Sequence, residues 1–221
     1  MGEDVSGDSH LSEQQYMYIC QASGYDRGVA TRARNPRGEG ARLREQLLRA
    51  ASEVLDEVGD ADRVSVRAIA RRAGVSPTAL YLHFPDRDAA VAAAVDAGFV
   101  AFNAALRDAA VAAREPRAAL EAMGLAYLDF AEQQAALYAG LFSARRAMTP
   151  GAVDRDEGFD GLVAMLQAAE PSLDDATARD VAIAMWSALH GFASLRTARA
   201  SFGWPPAADF VRRLLATHLP R

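Results

Sequence analysis

The sequence predicts an all-α fold, with a small N-terminal three-helix unit followed by a larger helical bundle. Three observations carry this. From Ala41 onward, apolar residues recur at spacings of three and four, the period of a helix with one buried face. No segment sustains the alternation of a half-buried strand. At Ala73-Gly74-Val75 two short helical patterns meet, and Ser76-Pro77 opens the second.

Residues 1–40 are rich in Gly, Ser, Asp and Gln and lack periodicity, which predicts a disordered N-terminal extension. Its end, from Arg27 to Gly40, is basic; it reads either as a plain tail or as an arginine arm touching DNA backbone or minor groove. Residues 41–88 form the three-helix unit. Leu47, Ala51, Val54, Leu55 and Val58 share one face of its first helix, which Gly59 ends. Ser65 caps a second helix carrying Val66, Ile69, Ala70 and Ala73 on its inner side. A third helix is expected from Pro77 to Phe84. Pro85-Asp86 stops it and opens the next, with Asp86 as N-cap.

Residues 89–221 form the bundle. A long alanine-rich helix spans 87–113. Pro116, Pro150-Gly151, Pro171 and Pro205-Pro206 then divide the remainder into helical patterns at about 117–133, 134–147, 158–169, 174–201 and 206–218. Residues 145–160 make the longest break and are expected to act as a lid over a pocket.

Charge is unevenly distributed. The formal net charge is −5, yet Arg27 to Arg49 hold seven arginines against Glu39 and Glu45. The 23 residues from Arg63 to Pro85 carry four arginines and no acid, whereas residues 89–221 hold 12 arginines and 15 acids. A short basic helix pair on an acidic chain points to a nucleic-acid reader. The single cysteine, Cys20, excludes an internal disulfide and a cysteine metal cluster. No uninterrupted apolar run reaches the ~18 residues of a membrane helix. The start, Met-Gly-Glu-Asp, has no apolar stretch of the kind a signal peptide needs. The expectation is a cytoplasmic protein with no membrane partner.

A helix-turn-helix must hold two short helices at a steep angle and expose one face of the second. Gly74 supplies the positive φ of the turn, Val75 plugs it, Ser76 caps the next helix and Pro77 suits its first turn. Leu80 and Phe84, four apart, bury the inner face. Thr78, Ala79 and Leu82, with parts of Tyr81 and His83, are left for DNA. Tyr81 and His83 are expected to donate to phosphates. A purely structural helical hairpin would not need all of these together.

The same stretch resembles the DNA-binding domain of the TetR family of bacterial transcriptional regulators. Ala70, Ala73-Gly74-Val75-Ser76, Leu80-Tyr81, His83-Phe84 and Arg87 stand where that family's signature has an AxxAGVSxxxLYxHFxxK-like run. The resemblance covers about residues 41–90. The chain departs from the pattern at Thr78, often glycine; at Leu82, often basic or polar; at Arg87, usually lysine; and at Ala90, usually leucine, where Val91 is expected to pack the joint instead. Together, residues and resemblance nominate Arg67, Ser76, Pro77, Thr78, Ala79, Tyr81, Leu82, His83 and Arg87 for DNA.

In the larger domain, Ile183, Trp186, His190 and Ala193 share one helix face. Met185, Leu189, Phe192 and Leu195 share the adjacent one. A helix apolar over so wide an arc buries more than one side. Gly191 costs about 1 kcal/mol in mid-helix relative to alanine, which close approach of another helix would offset. The W-x3-HG pattern is similar to the C-terminal domain of a TetR-like subgroup named for Trp, His and Gly. His190 reads either as a hydrogen-bonded core or interface histidine or as a polar group in an effector pocket. His10, His83, His190 and His218 are scattered without a second metal ligand at helical spacing. Phe102, Met123, Tyr127, Phe142 and Trp186 are the expected pocket lining.

The resemblance implies a ligand-responsive homodimeric repressor. It would dimerise through helices at about 174–201 and 206–218, read a pseudo-palindromic double-stranded DNA operator, and be released by a small apolar or aromatic effector. The alternatives are an activator, a ligand-independent regulator, and a ligand-binding module with a vestigial DNA domain. No nucleophile–base spacing, Gly-rich phosphate loop or paired acids point to an enzyme, and no cofactor or metal is expected.

Overall fold

The computed structural model describes residues 39–143 and 157–219. The N-terminal arm, and residues 145–156 of the expected lid, lie outside the described residues. Among the described residues there are nine α-helices, one 3-10 turn and no strand. They are α1 (Glu39–Val58), α2 (Val66–Arg72), α3 (Pro77–Leu80), α4 (Arg87–Ala112), α5 (Pro116–Gln133), α6 (Ala135–Ser143), α7 (Glu157–Ala169), α8 (Asp175–Ala198) and α9 (Ala207–His218).

The first three helices follow their local signals closely. Leu47, Ala51 and Leu55 of α1 are fully buried, at the predicted spacing. Gly59, at φ +61°, ends the helix. The Ser65 hydroxyl accepts from the Ala68 amide at 3.1 Å and caps α2. Gly74 then takes φ +68°. The Val75 amide donates to the Ala70 carbonyl, and the Gly74 amide to that of Arg71. This is the paired closure of a Schellman turn, which needs a residue free of a Cβ clash at Gly74.

Two local expectations are corrected. The third helix is only Pro77–Leu80 rather than Pro77 to Phe84. The chain continues through Tyr81–His83 as tight turns, with Leu82 donating to Ala79 and His83 to Leu80. Pro85 disfavours helical geometry at Phe84, yet Leu80 and Phe84 are both buried as predicted. Ser76 is the N-cap residue, but its side chain makes no cap hydrogen bond. The amide it would cap, that of Ala79, donates to the Ser76 carbonyl instead.

Asp86 accepts from the Ala89 amide at 2.7 Å and launches α4. This helix is long and apolar enough to cross a membrane by length and composition, with a mean hydropathy of 1.7 over 18 residues. Counting unbroken apolar runs misses it because Asp96 interrupts the alanines. Half of that window is buried, as in the core helix of a helical domain. Ala90 and Val91 are both buried at the joint.

In the bundle, α5 is central and packs against α4, α6, α7, α8 and α9. The two halves share a seam, where α1 lies against α4 and α6. There Gly140 of α6 admits Leu55 of α1: a Cβ on Gly140 would stand 2.7 Å from a Leu55 methyl.

Candidate functional site

The exposed face of the helix-turn-helix is built from few residues. Ser76, Pro77 and Thr78 are exposed and Ala79 is half-buried. Tyr81 is 53% and Leu82 76% exposed, a high value for large side chains next to a core. Arg67 and Arg71 project from α2 into solvent. His83 is half-buried; its burial, then the nearby Arg44 charge, hold its pKa below the ordinary 6.5. The Arg44 guanidinium lies 5.1 Å from the Phe84 ring centroid, covering the end of the recognition segment.

Two arginines, Arg72 in the basic segment and Arg87 just beyond it, have other partners. Arg72 bonds Glu53 at 3.1 Å and also Glu57, both on α1. Arg87 donates through Nε to the Val64 carbonyl at 2.7 Å, through Nη2 to the Ala61 carbonyl, and through Nη1 to Asp88 at 2.6 Å. Its guanidinium braces the 3-10 turn against the start of α4. Gln46, which sequence reasoning passed over, donates to the Ala73 carbonyl at 2.7 Å and ties α1 to the turn.

The second site is a cavity of about 520 Å³ among α4, α5, α6, α7 and α8. Phe102, Met123, Tyr127, Phe142 and Trp186 all line it. Within the wall, Phe102 makes edge-on contacts to Tyr127 at 5.1 Å and Phe142 at 6.2 Å. His190 is not in the wall. Its Nδ1 lies 2.6 Å from the Tyr138 hydroxyl and 3.3 Å from that of Tyr127, and the two hydroxyls are 2.8 Å apart. Of its two readings, the geometry matches the hydrogen-bonded core histidine, which reaches the cavity through Tyr127.

Burial raises the Tyr127 phenol to about 12 and pushes Tyr138 higher still, while it lowers His190. All three groups are therefore neutral near pH 7. Sequence reasoning missed Asn103 and Arg179, which are also in the wall, while Gly158 and Asp160 of the wall fall at the end of the expected lid. A lone asparagine in an alanine-rich helix carries no periodicity signal. Among the described residues no cluster of three or more His, Cys, Asp or Glu is arranged for a metal.

The expectation at Gly191 fails within the chain. Among the described residues, no atom beyond its own stretch of helix lies within 4 Å of where its Cβ would be. The surrounding face of α8 is open, with Ile183 51%, Trp186 42% and Leu195 53% exposed.

A capped turn presenting a short exposed helix, joined by one long helix to a bundle with an aromatic cavity, defines a helix-turn-helix transcriptional regulator. Residues 47–94 match the model of bacterial regulatory proteins of the tetR family. Residues 120–218 match the tetracyclin repressor-like C-terminal domain, a description that does not separate out the Trp-His-Gly subgroup. The chain belongs to the TetR family of bacterial transcriptional regulators, which are DNA-binding proteins rather than enzymes.

Solved structures agree. A protein of unknown function from Rhodococcus sp. RHA1 is 30% identical, with a TM-score of 0.67 over 84% of this chain and 97% of that one. A TetR-like transcriptional regulator from the same organism is 25% identical, with a TM-score of 0.59 over 84% and 96%. The transcriptional regulator FadR from Bacillus subtilis, in complex with stearoyl-CoA, shares the fold at 14% identity, with a TM-score of 0.58 over 79% and 97%. No curated protein sequence gives a significant match.

Proposed function

We propose that this regulator is a homodimeric repressor, released from its operator by a small apolar or aromatic effector bound in the cavity. The observation that carries the reading is the path of α4. The helix packs against α1 in the seam, its first turns bury Ala90, Val91 and Ala94, and its middle supplies Phe99, Phe102 and Asn103 to the cavity. A ligand that displaces this helix moves the base of the DNA-binding unit. A coupling of about 1–3 kcal/mol corresponds to a 5–150-fold change in DNA affinity. The FadR structure, in complex with stearoyl-CoA, supports a small-molecule effector with an apolar part for a protein of this fold.

The recognition segments of two protomers would enter successive major grooves about 34–36 Å apart. Arg67, Ser76, Pro77, Thr78, Ala79, Tyr81, Leu82 and His83 would meet DNA, with Arg87 acting as the brace behind them. The open apolar face of α8 favours pairing with a second copy, with α9 alongside. The protein would act in the cytoplasm.

The test is fluorescence anisotropy with duplex DNA from upstream of the protein's own gene. Wild type is expected to bind specifically as a dimer. Replacing both Thr78 and Tyr81 with alanine should abolish specific binding without unfolding the protein. A doubly substituted protein that retains specific binding overturns the reading.

A further inference from the structure

Asn103 is the one buried polar side chain on the cavity that the fold leaves unanswered. It is 4% exposed, and among the described residues neither Nδ2 nor Oδ1 has a hydrogen-bond partner. A buried amide without partners is costly, and such groups in folded proteins ordinarily find protein or solvent partners. The neighbouring polar groups of Tyr127, in the wall, and of Tyr138 and His190, outside it, satisfy one another. Asn103 lies in the wall, beside Phe102 in sequence and among Leu106, Met123 and Phe159 in the lining.

Its position is also confined. Gly158, at the start of α7, faces it so closely that a Cβ there would stand 2.6 Å from Oδ1. Among the described residues, the only charged side chains on the cavity are Asp160 and Arg179. Both are exposed, lie 3.6 Å apart as an ion pair, and sit at the rim, with Arg179 over the Phe159 ring. Among the described residues the interior thus offers one neutral donor and one neutral acceptor among apolar and aromatic walls, and no buried cation to meet an anion. An ionised carboxylate placed there would be desolvated without a counter-charge.

We infer that Asn103 is the specificity-determining anchor of the cavity, and that the effector is a neutral, mainly aromatic or aliphatic molecule bearing one group that both donates and accepts. A carboxamide or lactam meets the two Asn103 atoms in a single paired contact. This rests on the reading of the cavity as an effector site. A site built to hydrogen-bond a ligand group discriminates strongly against the analogue lacking it.

The test uses the full chain, equilibrium dialysis and three matched probes: 2-naphthamide, 2-naphthoate and 2-methylnaphthalene. Wild type is expected to bind the amide at least tenfold more tightly than either of the others. Asn103→Leu, close in size, should erase that preference while leaving 2-methylnaphthalene within about twofold, as expected of a volume-conserving change. Gly158→Ala, which presses on Oδ1, should weaken the amide selectively and serves should Asn103→Leu fail to fold. Hydrocarbon and amide binding equally, an amide preference that survives in Asn103→Leu, or the naphthoate binding best each overturns the anchor and leaves the effector cavity standing. Failure of wild type to bind any of the three overturns both.

Discussion

The Asp56 carboxylate of α1 accepts a hydrogen bond from the Leu137 amide in the first turn of α6, at 3.1 Å and across 81 residues of chain. One half of the protein thereby caps a helix of the other. The orphan amides at a helix start are among the few backbone groups a side chain can satisfy. A carboxylate there also complements the helix dipole. The next residue of the same helix, Tyr138, enters the hydrogen-bond group at the cavity. The seam and the cavity wall are thus parts of one short helix.

Removing that cap should loosen the seam. Asp56→Ala is expected to cost about 1 kcal/mol, the usual worth of a side-chain cap. Asp56→Asn, which keeps an acceptor, should cost less. Urea unfolding measures both; an alanine variant as stable as wild type would show that the contact carries no energy.

Arg67 of the basic segment and Arg87 just beyond it should act in two different ways. Arg67 is exposed on α2. As a phosphate contact, its loss should weaken binding about equally across DNA sequences and reduce the salt slope by about 1. Arg87 holds two backbone carbonyls of the 3-10 turn. Arg87→Ala should therefore lower fold stability by about 1–3 kcal/mol through the unpaired carbonyls. The comparison is thermal unfolding beside DNA titration at several salt concentrations. Equal stability of the Arg67→Ala and Arg87→Ala proteins would contradict the division.

Sequence alone located the helix-turn-helix because its cues are local. Ser65, Gly74, Pro77 and Asp86 each act through backbone groups within a few residues. Leu80 and Phe84 declare their burial by spacing. The function of Arg87 was not legible: its carbonyl partners at Ala61 and Val64 come near only once α4 has turned back on the unit. Phe102, Met123, Tyr127, Phe142 and Trp186 were legible as a set, since bulky aromatics at helical spacing face an interior. Whether a member lines a cavity or stands behind it depends on helix rotation, and that separates Tyr127 from His190. Asn103 and Gly158 show their roles only as a pair, through a contact between α4 and α7.

Acid should destabilise the protein through its partly buried histidines. His190 and His83 both have pKa values held below the ordinary 6.5, chiefly by burial. The unfolded chain therefore takes up protons first as pH falls. The stabilisation is fully present above about pH 6.5 and is lost as pH falls through the lower folded values. Urea midpoints at pH 7.5, 6.5 and 5.5 should decline in that order. His190→Gln should flatten part of the decline, and an unchanged slope in that variant would exclude His190 as a contributor.

Gly191 gives the sharpest test of the pairing surface. In an isolated protomer, alanine there would meet open space. Helix propensity alone would then make Gly191→Ala stabilising by about 0.5–1 kcal/mol. A glycine in mid-helix, aligned with exposed Ile183 and Leu195 at helical spacing along the open side of α8, favours a close backbone approach by the same face of a second copy. In that arrangement the added methyl falls at the closest point between two helices and forces them apart. Gly191→Ala is then expected to raise the dimer dissociation constant while the helicity of the protomer is maintained or increased, read by sedimentation equilibrium and circular dichroism. A variant that dimerises like wild type and gains stability would place Gly191 outside the contact, and with it the proposed use of this face.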